Sequence, residues 1–525
     1  MLIGFGLRVG NLGAESLSED ELNKLQTVAD YRANGLSGRN GEHPFLMKGM
    51  QTISIAVVEK LNNVSNSKIS DEAALRFPTV LIGTLTILVL FLLVSELFGA
   101  SIGLIAAALW ACEPSAIGFD RIAKEDSFLL MFFLLGCFFW MRGQTVAERG
   151  GTNWLKYMWC AAAAFGAMIA SKYLPHLLAV SAAYYQIFQA IPATKWRLGK
   201  VRWLQFVVIL GICFIIFNPT ILLPETWREM LTFSGEKRIG HDSYEFYGTL
   251  YKNQVTAWLA GVPWTFYYVF ILFKTSVLTL VFFLIGLPSI FRRKFGDGRY
   301  LIFFWALFWF MPFTVLGGKF TRYFAIGEPL ILIVAAVGFY SFIKWIAPKI
   351  SDAKTFAPVF FAVCFGILIG FSLSGSLSFA PHFRLYTNAF GGGKESAGFY
   401  FPHDEFYDTS TREIVAEIIK TAQIGATIAN ETPGLFEHYA KKAGREDLIS
   451  VSLSDKSNIA SLKSGDYIVA ARGRRYFSND GILKFLEMIS PVAEVVIDDI
   501  YSAKIYQLND ETVRRLKNQF TELAQ

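Results

Sequence analysis

The sequence predicts a polytopic α-helical membrane protein with a small C-terminal α/β domain, and three observations carry that prediction. Composition is the first: of 525 residues, 53% are hydrophobic, 16% aromatic and only 18% charged, with a mean hydropathy of +0.39, well outside the range of soluble domains. The second is a series of apolar runs between residues 77 and 375, several near the roughly 20 residues of helix that cross a bilayer. The third is a change at residue 376, beyond which the pattern turns polar and mixed. The net charge of +6 is modest, and its basic residues cluster in short loops between apolar runs. That is a topology signal and argues against a nucleic-acid partner. Cys112, Cys137, Cys160, Cys213 and Cys364 lie in or beside apolar runs without zinc or redox spacing, and read as packing residues.

Ten windows read as spans: 77–98, 101–117, 127–142, 155–171, 173–193, 203–223, 268–291, 300–317, 324–345 and 355–375. Four of the intervening loops are basic: Arg142, Arg149 and Lys156; Lys195, Arg197, Lys200 and Arg202; Arg292, Arg293, Lys294 and Arg299; Lys344, Lys349 and Lys354. Lys and Arg concentrate in cytoplasmic loops, so these belong inside the cell membrane. An alternating path then places 1–76, 112–127, 224–262, 317–323 and everything after 376 outside. Residues 1–76 become an external first loop with amphipathic helices, 77–375 the transmembrane domain, and 376–525 an extracytoplasmic α/β domain. "MLIGFGLRVGNLG" has too few apolar residues for a span and lacks the form of a signal peptide. The expectation is that a first transmembrane helix is missing from this chain, with a translocated N-terminal tail as the alternative.

Beyond 376, the strand-like runs "GATIANE", "LISVSL", "DYIVAARG", "AEVVID" and "SAKIYQL" alternate with helical stretches near 409–422, 432–443, 480–489 and 509–523. Such alternation predicts a largely parallel sheet. No catalytic motif is visible there. "AFGGGKESAG", residues 389–398, reads as a flexible hinge, or as a backbone cradle for phosphate.

Residues able to do chemistry collect in the outward loops. Ser18 followed by Glu21 is a capping box that starts a helix, so Glu21 has a structural explanation. Asp20 is not needed for that box, and a carboxylate in a first helical turn stays ionised, as a general base must. In "FDRIAKEDSFLL" an Arg, a Lys and three acids sit where an apolar hairpin turns over at the membrane surface. A solvated turn with Asp126 as a cap explains them; so does a headgroup site in which Arg121 and Lys124 hold an anion. Lys319 and Arg322 in "GGKFTRYF" face outward, where the positive-inside trend does not account for them and a phosphate would. His43 beside Glu42 raises a divalent metal as the one cofactor candidate, but the six histidines show no paired spacing and no metal ligand set is assigned. The loop 235–250 mixes His241 and Asp242 with Tyr244, Phe246 and Tyr247, which suits a sugar groove or an interfacial aromatic belt.

Together these loops resemble the dolichyl-phosphate-mannose protein mannosyltransferase family of GT-C-type membrane glycosyltransferases. In that family an Asp-Glu pair opens the first external loop, followed by Tyr-x-x-Gly and an acid-x-His-Pro-Pro-Leu-x-Lys element. Here they read as Asp20 and Glu21, "YRANG" and "GEHPFLMK". The likeness continues through "LRFPTVLIGTL", "RIAKEDSFLL" and "AMIASKYLPHLL", over roughly residues 15–345. The arrangement is also similar to bacterial lipid A aminoarabinose transferases, whose Arg-Tyr element matches Arg322 and Tyr323. Phe45 departs from the second proline, and an α/β domain stands at the C-terminus where a β-trefoil would be inserted in the long loop.

The resemblance implies inverting transfer of mannose or a similar hexose from a polyprenyl-phosphate donor to a hydroxyl on a protein, lipid or glycan acceptor at the outer face. It implies Asp20 as base, with Glu21 or Glu42 orienting it or the acceptor. Arg121, Lys319 and Arg322 become phosphate contacts, and Asp126 organises Arg121 or the sugar. His43, Lys48, Lys172, His241 and Tyr323 complete the substrate-binding set. A transporter or lipid flippase is the non-enzyme alternative, but such proteins place polar groups at the bilayer midplane, often with repeat symmetry, and no internal repeat is visible.

Overall fold

The computed structural model describes residues 1–235, 241–351, 353 and 355–520. Residues 236–240 of the aromatic loop, Lys354, and 521–523 of the last predicted helix lie outside the described residues.

Three helices precede the first long apolar one: α1 (Leu2–Val9), α2 (Glu19–Asn34) and α3 (Phe45–Val64). The capping box is present at α2, with the Ser18 hydroxyl accepting from the Glu21 N–H and the Glu21 carboxylate from the Ser18 N–H. The apolar series is α4 (Asp71–Phe98), α5 (Ala100–Cys112), α6 (Pro114–Asp120), α7 (Asp126–Glu148), α8 (Trp154–Ile169), α9 (Leu178–Gln189) and α10 (Lys200–Phe217). Then come α11 (Pro224–Gly235), α12 (Phe266–Lys274), α13 (Val277–Ile290), α14 (Gly298–Val315), α15 (Glu328–Ile350) and α16 (Phe356–Leu377).

All ten predicted windows contain helix, but among the described residues only six single helices are long and apolar enough to cross a membrane, or seven if α5 and α6 form one span bent by 65°. The difference has local causes. Pro114 opens α6 and has no N–H to continue α5. Window 268–291 is split at Thr275 and Ser276, and window 173–193 keeps only the twelve residues of α9 after a short 3₁₀ turn. The protein is nonetheless a multi-pass membrane protein. α10 and α16 expose apolar side chains such as Val201, Val207, Ile212, Val359 and Ile367, as lipid-facing helices do, whereas α4, α7 and α15 are mostly buried among neighbours. α13 and α15 pack so closely that a Cβ at Gly286 or Gly338 would strike a carbonyl of the facing helix.

The loops after α7 and after α9 lie side by side. Glu148 at the end of α7 accepts the Lys195 and Trp196 N–H groups, and Phe98 meets Phe295 edge-on. These contacts join the loop after α7 to the one before α10, and the end of α4 to the loop before α14. The loops of the other predicted set converge against the C-terminal domain.

That domain contains a five-stranded sheet of β3 (Thr427–Asn430), β4 (Ile449–Ser452), β5 (Tyr467–Ala471), β6 (Ala493–Ile497) and β7 (Ile500–Gln507), while β1 (Ser243–Phe246) and β2 (Thr249–Lys252) form a separate hairpin. The order is β4-β3-β5-β7-β6. Only β4, β3 and β5 run parallel; β7 is antiparallel to both β5 and β6. The largely parallel sheet expected is therefore mixed, because only three residues separate the predicted strands at 493–498 and 502–508, room for a hairpin and not for a crossover helix. The 389–398 segment is not a free hinge: Asn388 holds its turn by accepting from the Gly391 N–H and donates to the Leu272 and Thr275 carbonyls at the end of α12.

One buried ion pair ties the first loop to the bundle. Arg76 on α4 donates Nε to Glu21 Oε1 at 2.8 Å and a second N–H to Oε2 at 2.7 Å, and also reaches the carbonyls of Leu12, Glu15 and Ser16. Both side chains are essentially inaccessible to solvent. Removing one partner leaves the other charge buried and uncompensated, so Glu21→Ala should destabilise the fold by about 3–5 kcal/mol. Chemical unfolding in detergent is the measurement, and a variant as stable as the parent would show the pair to be dispensable.

Candidate functional site

The loops at the end of the bundle that meets the C-terminal domain enclose, with that domain, a cavity of about 480 Å³. Asp20, Glu42, His43, Asp126, Lys172, His241, Arg322 and Tyr323 all line it, joined by Glu19, Lys124 and Glu125. Apolar residues Leu174, Met230 and Phe233 form part of the same wall.

Asp20 enters from the first turn of α2. It is ion-paired with Lys124 and accepts the Tyr407 hydroxyl at 2.7 Å. Burial alone would favour the neutral acid, but Lys124, Arg322 and Lys24 overcome it and hold Asp20 well below the usual carboxylate range. Lys124 is pulled down to about 8 by burial and by the neighbouring Lys24 and Arg322, with Asp20 opposing. Glu125 is held by Lys24 at 3.1 Å and by His43 Nδ1 at 3.5 Å. Burial takes His43 down to about 3, so the imidazole is neutral at physiological pH. Burial raises Glu42, whose Oε1 accepts from Asn40 at 2.5 Å.

Across the cavity, Lys172 pairs with Asp126 at 2.6 Å and stands over the Tyr323 ring. Arg322 lies over Phe320 and 3.9 Å from Asp404. Its cationic head faces the cavity while its nearest carboxylate is at the limit of an ion pair.

Four predicted residues are not brought to this cavity. Glu21 is consumed by Arg76, the Ser18 N–H and the Ala123 N–H. Arg121 donates to the carbonyls of Leu7, Arg8, Gly10 and Asn11, securing the end of α1, and is not placed to meet a donor phosphate. Nor does Asp126 organise it. Lys48 donates to the Asn40 and His43 carbonyls at 2.7 and 2.9 Å and so fixes the loop that presents His43. Lys319 donates to the carbonyls of Val262 and Leu316. Each of these cations offers a buried backbone turn the donors it lacks, and sequence alone does not separate that use from anion binding.

The C-terminal domain adds His403, Tyr407, Asp408 and Arg474, which sequence reasoning missed. Arg474 bridges Asp408 and Glu19, the latter at 2.7 Å, and donates to His241 at 3.0 Å. Tyr407 and Asp408 both have left-handed backbones, φ 46° and 63°, a conformation that costs about 1–3 kcal/mol per non-glycine residue and recurs at functional sites. The dense "FPHDEFYD" and "RGRR" stretches were the available signal. Among the described residues, no group of three or more His, Cys, Asp or Glu is arranged to hold a metal.

Residues 64–222 match the family model described as "Dolichyl-phosphate-mannose-protein mannosyltransferase". The whole fold is similar to ArnT from Cupriavidus metallidurans in the apo state, with a TM-score of 0.51 at 13% identity over 96% of each chain. The same protein bound to undecaprenyl phosphate aligns at 0.49 and 14% identity over 96% of each chain. The apo Archaeoglobus fulgidus oligosaccharyltransferase aligns at 0.50 and 11% identity, over 90% of this chain and 68% of that one. No curated protein matches the chain in sequence. The protein thus has the GT-C fold, and its residues 64–222 are similar to the protein mannosyltransferase model.

Lys48 gives the site a local test. Lys48→Met removes the donors on two carbonyls of the 40–43 turn, so backbone hydrogen exchange across residues 39–45 should rise while α7 stays protected. Unchanged exchange there would show that the turn does not depend on the ammonium.

Proposed function

We propose that this protein is a membrane glycosyltransferase that moves mannose or a similar hexose from a polyprenyl-phosphate donor to a hydroxyl acceptor, with inversion, at the outer face of the cell membrane. The observation that carries this reading is one cavity in which an ionised carboxylate, Asp20, faces the cations Lys124, Lys172 and Arg322. The family segment at 64–222 supports it, since Lys124, Asp126 and Lys172 all fall within that match. The matched family's description favours a protein acceptor, such as a serine or threonine hydroxyl, and a glycan hydroxyl is the second candidate.

In this reading the acceptor oxygen bonds to the anomeric carbon as the bond from that carbon to the phosphate oxygen breaks. The acceptor proton passes to Asp20, and the electron pair of the broken bond stays on the phosphate. Lys172 and Arg322 counter the charge that develops there. The cations that keep Asp20 ionised also weaken it as a base. A donor phosphate drawing Lys124 and Arg322 toward itself would relieve that effect and raise the basicity of Asp20 when the substrate is in place. Leu174, Met230 and Phe233 supply apolar surface for the start of the prenyl chain.

Purified protein incubated with polyprenyl-phosphate mannose and a Ser/Thr peptide should release polyprenyl phosphate only when the acceptor is present. General-base help is worth about 10²- to 10⁴-fold, so Asp20→Asn should lower turnover by that factor while the protein still folds; full activity in that variant rules Asp20 out. Movement of donor across a vesicle membrane without cleavage would make the protein a transporter instead.

The pH profile tests Lys124. Its folded value of about 8 lies below the ordinary 10.5, so the cation is present at lower pH and is lost as pH rises through about 8. kcat/KM, which reports the free enzyme, should fall along that limb. Lys124→Arg should carry the limb to higher pH, and an unmoved limb would assign it to another group.

A further inference from the structure

A second cavity, of about 260 Å³, lies behind the first, between the β1–β2 hairpin and the C-terminal sheet. One thin wall separates them. Gly473, at φ 83°, passes so close to residue 402 that a Cβ would sit 2.5 Å from the Pro402 carbonyl oxygen. Pro402 and Gly473 line the second cavity, and their chain neighbours His403 and Arg474 line the first.

β5, whose carboxyl end lines this cavity, also borders a reversal in sheet topology. The helix Pro433–Lys442 between β3 and β4 packs on the face that holds Ile428 and Val469, and the helix Lys456–Ser461 between β4 and β5 packs on the face that holds Ala429 and Ile468. The crossovers therefore leave on opposite faces, with β3 and β5 adjacent. In open α/β sheets a ligand crevice forms beyond the carboxyl ends of the strands at such a reversal; here the residues after β3 line a neighbouring pocket, and of the two strands β5 alone brings its carboxyl end to this cavity. β5 ends at Ala471, and the next residues are Arg472 to Arg475.

The charges at that edge are unequally used. Arg475 is paired with Glu245 and Asp480, Lys484 with Asp480 and Lys504 with Glu494. Arg472 is half-buried over the rings of Phe406 and Tyr501, donates to the Gly398 carbonyl at 2.6 Å, and makes no ion pair among the described residues. A guanidinium desolvated in this way, with the Glu405 and Glu245 carboxylates acting on it only from beyond ion-pair distance, favours an anion in contact. Tyr501, Tyr506 and Phe399 also line the cavity and offer ring faces, and a flat aromatic surface beside a fixed cation suits a sugar bearing a carboxylate or phosphate.

We infer that this cavity is an acceptor subsite for an anionic saccharide, anchored by Arg472 and backing onto the chamber that holds Asp20. The acceptor role rests on the transferase reading above; the binding itself does not. The binding test uses the full-length protein in detergent with trigalacturonate, maltotriose and inorganic phosphate as probes in calorimetry. Trigalacturonate should bind while maltotriose does not. Arg472→Gln should weaken trigalacturonate at least about tenfold, the loss expected for a hydrogen-bonded charge. Lys504→Glu, which keeps the Arg472 contact to Gly398, should weaken it in the same direction. No trigalacturonate binding, unaltered binding in both variants, or phosphate binding as tightly as the saccharide would overturn the inference. The acceptor role is read separately: Arg472→Gln should raise KM for an anionic acceptor at least about tenfold more than for an uncharged one, and equal effects on both would overturn that role. Saccharide binding by a protein that transfers nothing would instead place the failure in the transferase reading.

Discussion

The site depends on the pairing of Arg76 with Glu21. The pair is buried and joins three segments distant in sequence: α2 through Glu21, α4 through Arg76, and the turn after α6 through the Ala123 N–H. Once Glu21 is held inward, helical geometry sends its neighbour Asp20 toward another side of α2, where Lys124, one residue after Ala123, meets it. The structural carboxylate and the cavity carboxylate are adjacent, and the bond of the first sets the aim of the second. Isolating a charged pair from water is expensive, so the geometry here is reinforced by donors and acceptors on every free position of both groups.

Much of this was legible in the chain. The capping box at Ser18 was legible, and with it a structural role for Glu21, because capping has a fixed three-residue spacing. Loop charges grouped the loops after α7 and after α9, which lie side by side, since the Lys and Arg bias acts on short segments that sequence displays directly. The fate of isolated cations was not legible. Arg121, Lys48 and Lys319 have the same chemistry as Lys172 and Arg322, and only the fold decides whether a backbone turn or an open chamber faces them. The breaks inside the predicted windows were not legible for a related reason: a hydropathy window cannot register where an apolar run breaks at Thr275 or bends at Pro114. The sheet direction was misread because strand periodicity carries no information on whether neighbours run together or against each other.

The electrostatic plan of the chamber has a common theme. Asp20 with Lys124, Asp126 with Lys172, and Glu19 with Arg474 each pair a carboxylate with a cation at the wall. Only Arg322 has its carboxylate at arm's length. Before substrate arrives, the wall is nearly self-neutralised, which limits the cost of holding so much charge near a bilayer. An incoming anion competes for cations already in position, and repositioning them needs no large movement of backbone.

The wall shared by two domains has a consequence for how the protein is made. Asp20 and Arg474 face the same chamber although 454 positions separate them in the chain (474 − 20). Synthesis runs from the N-terminus, so the membrane helices are in place long before β5 and the loop after it emerge. Until then the chamber lacks a side, and Glu19 and His241 lack their shared arginine. Completion of the site therefore reports that the last domain has folded and docked, and a chain stopped anywhere before Arg474 would reach the membrane without a closed chamber.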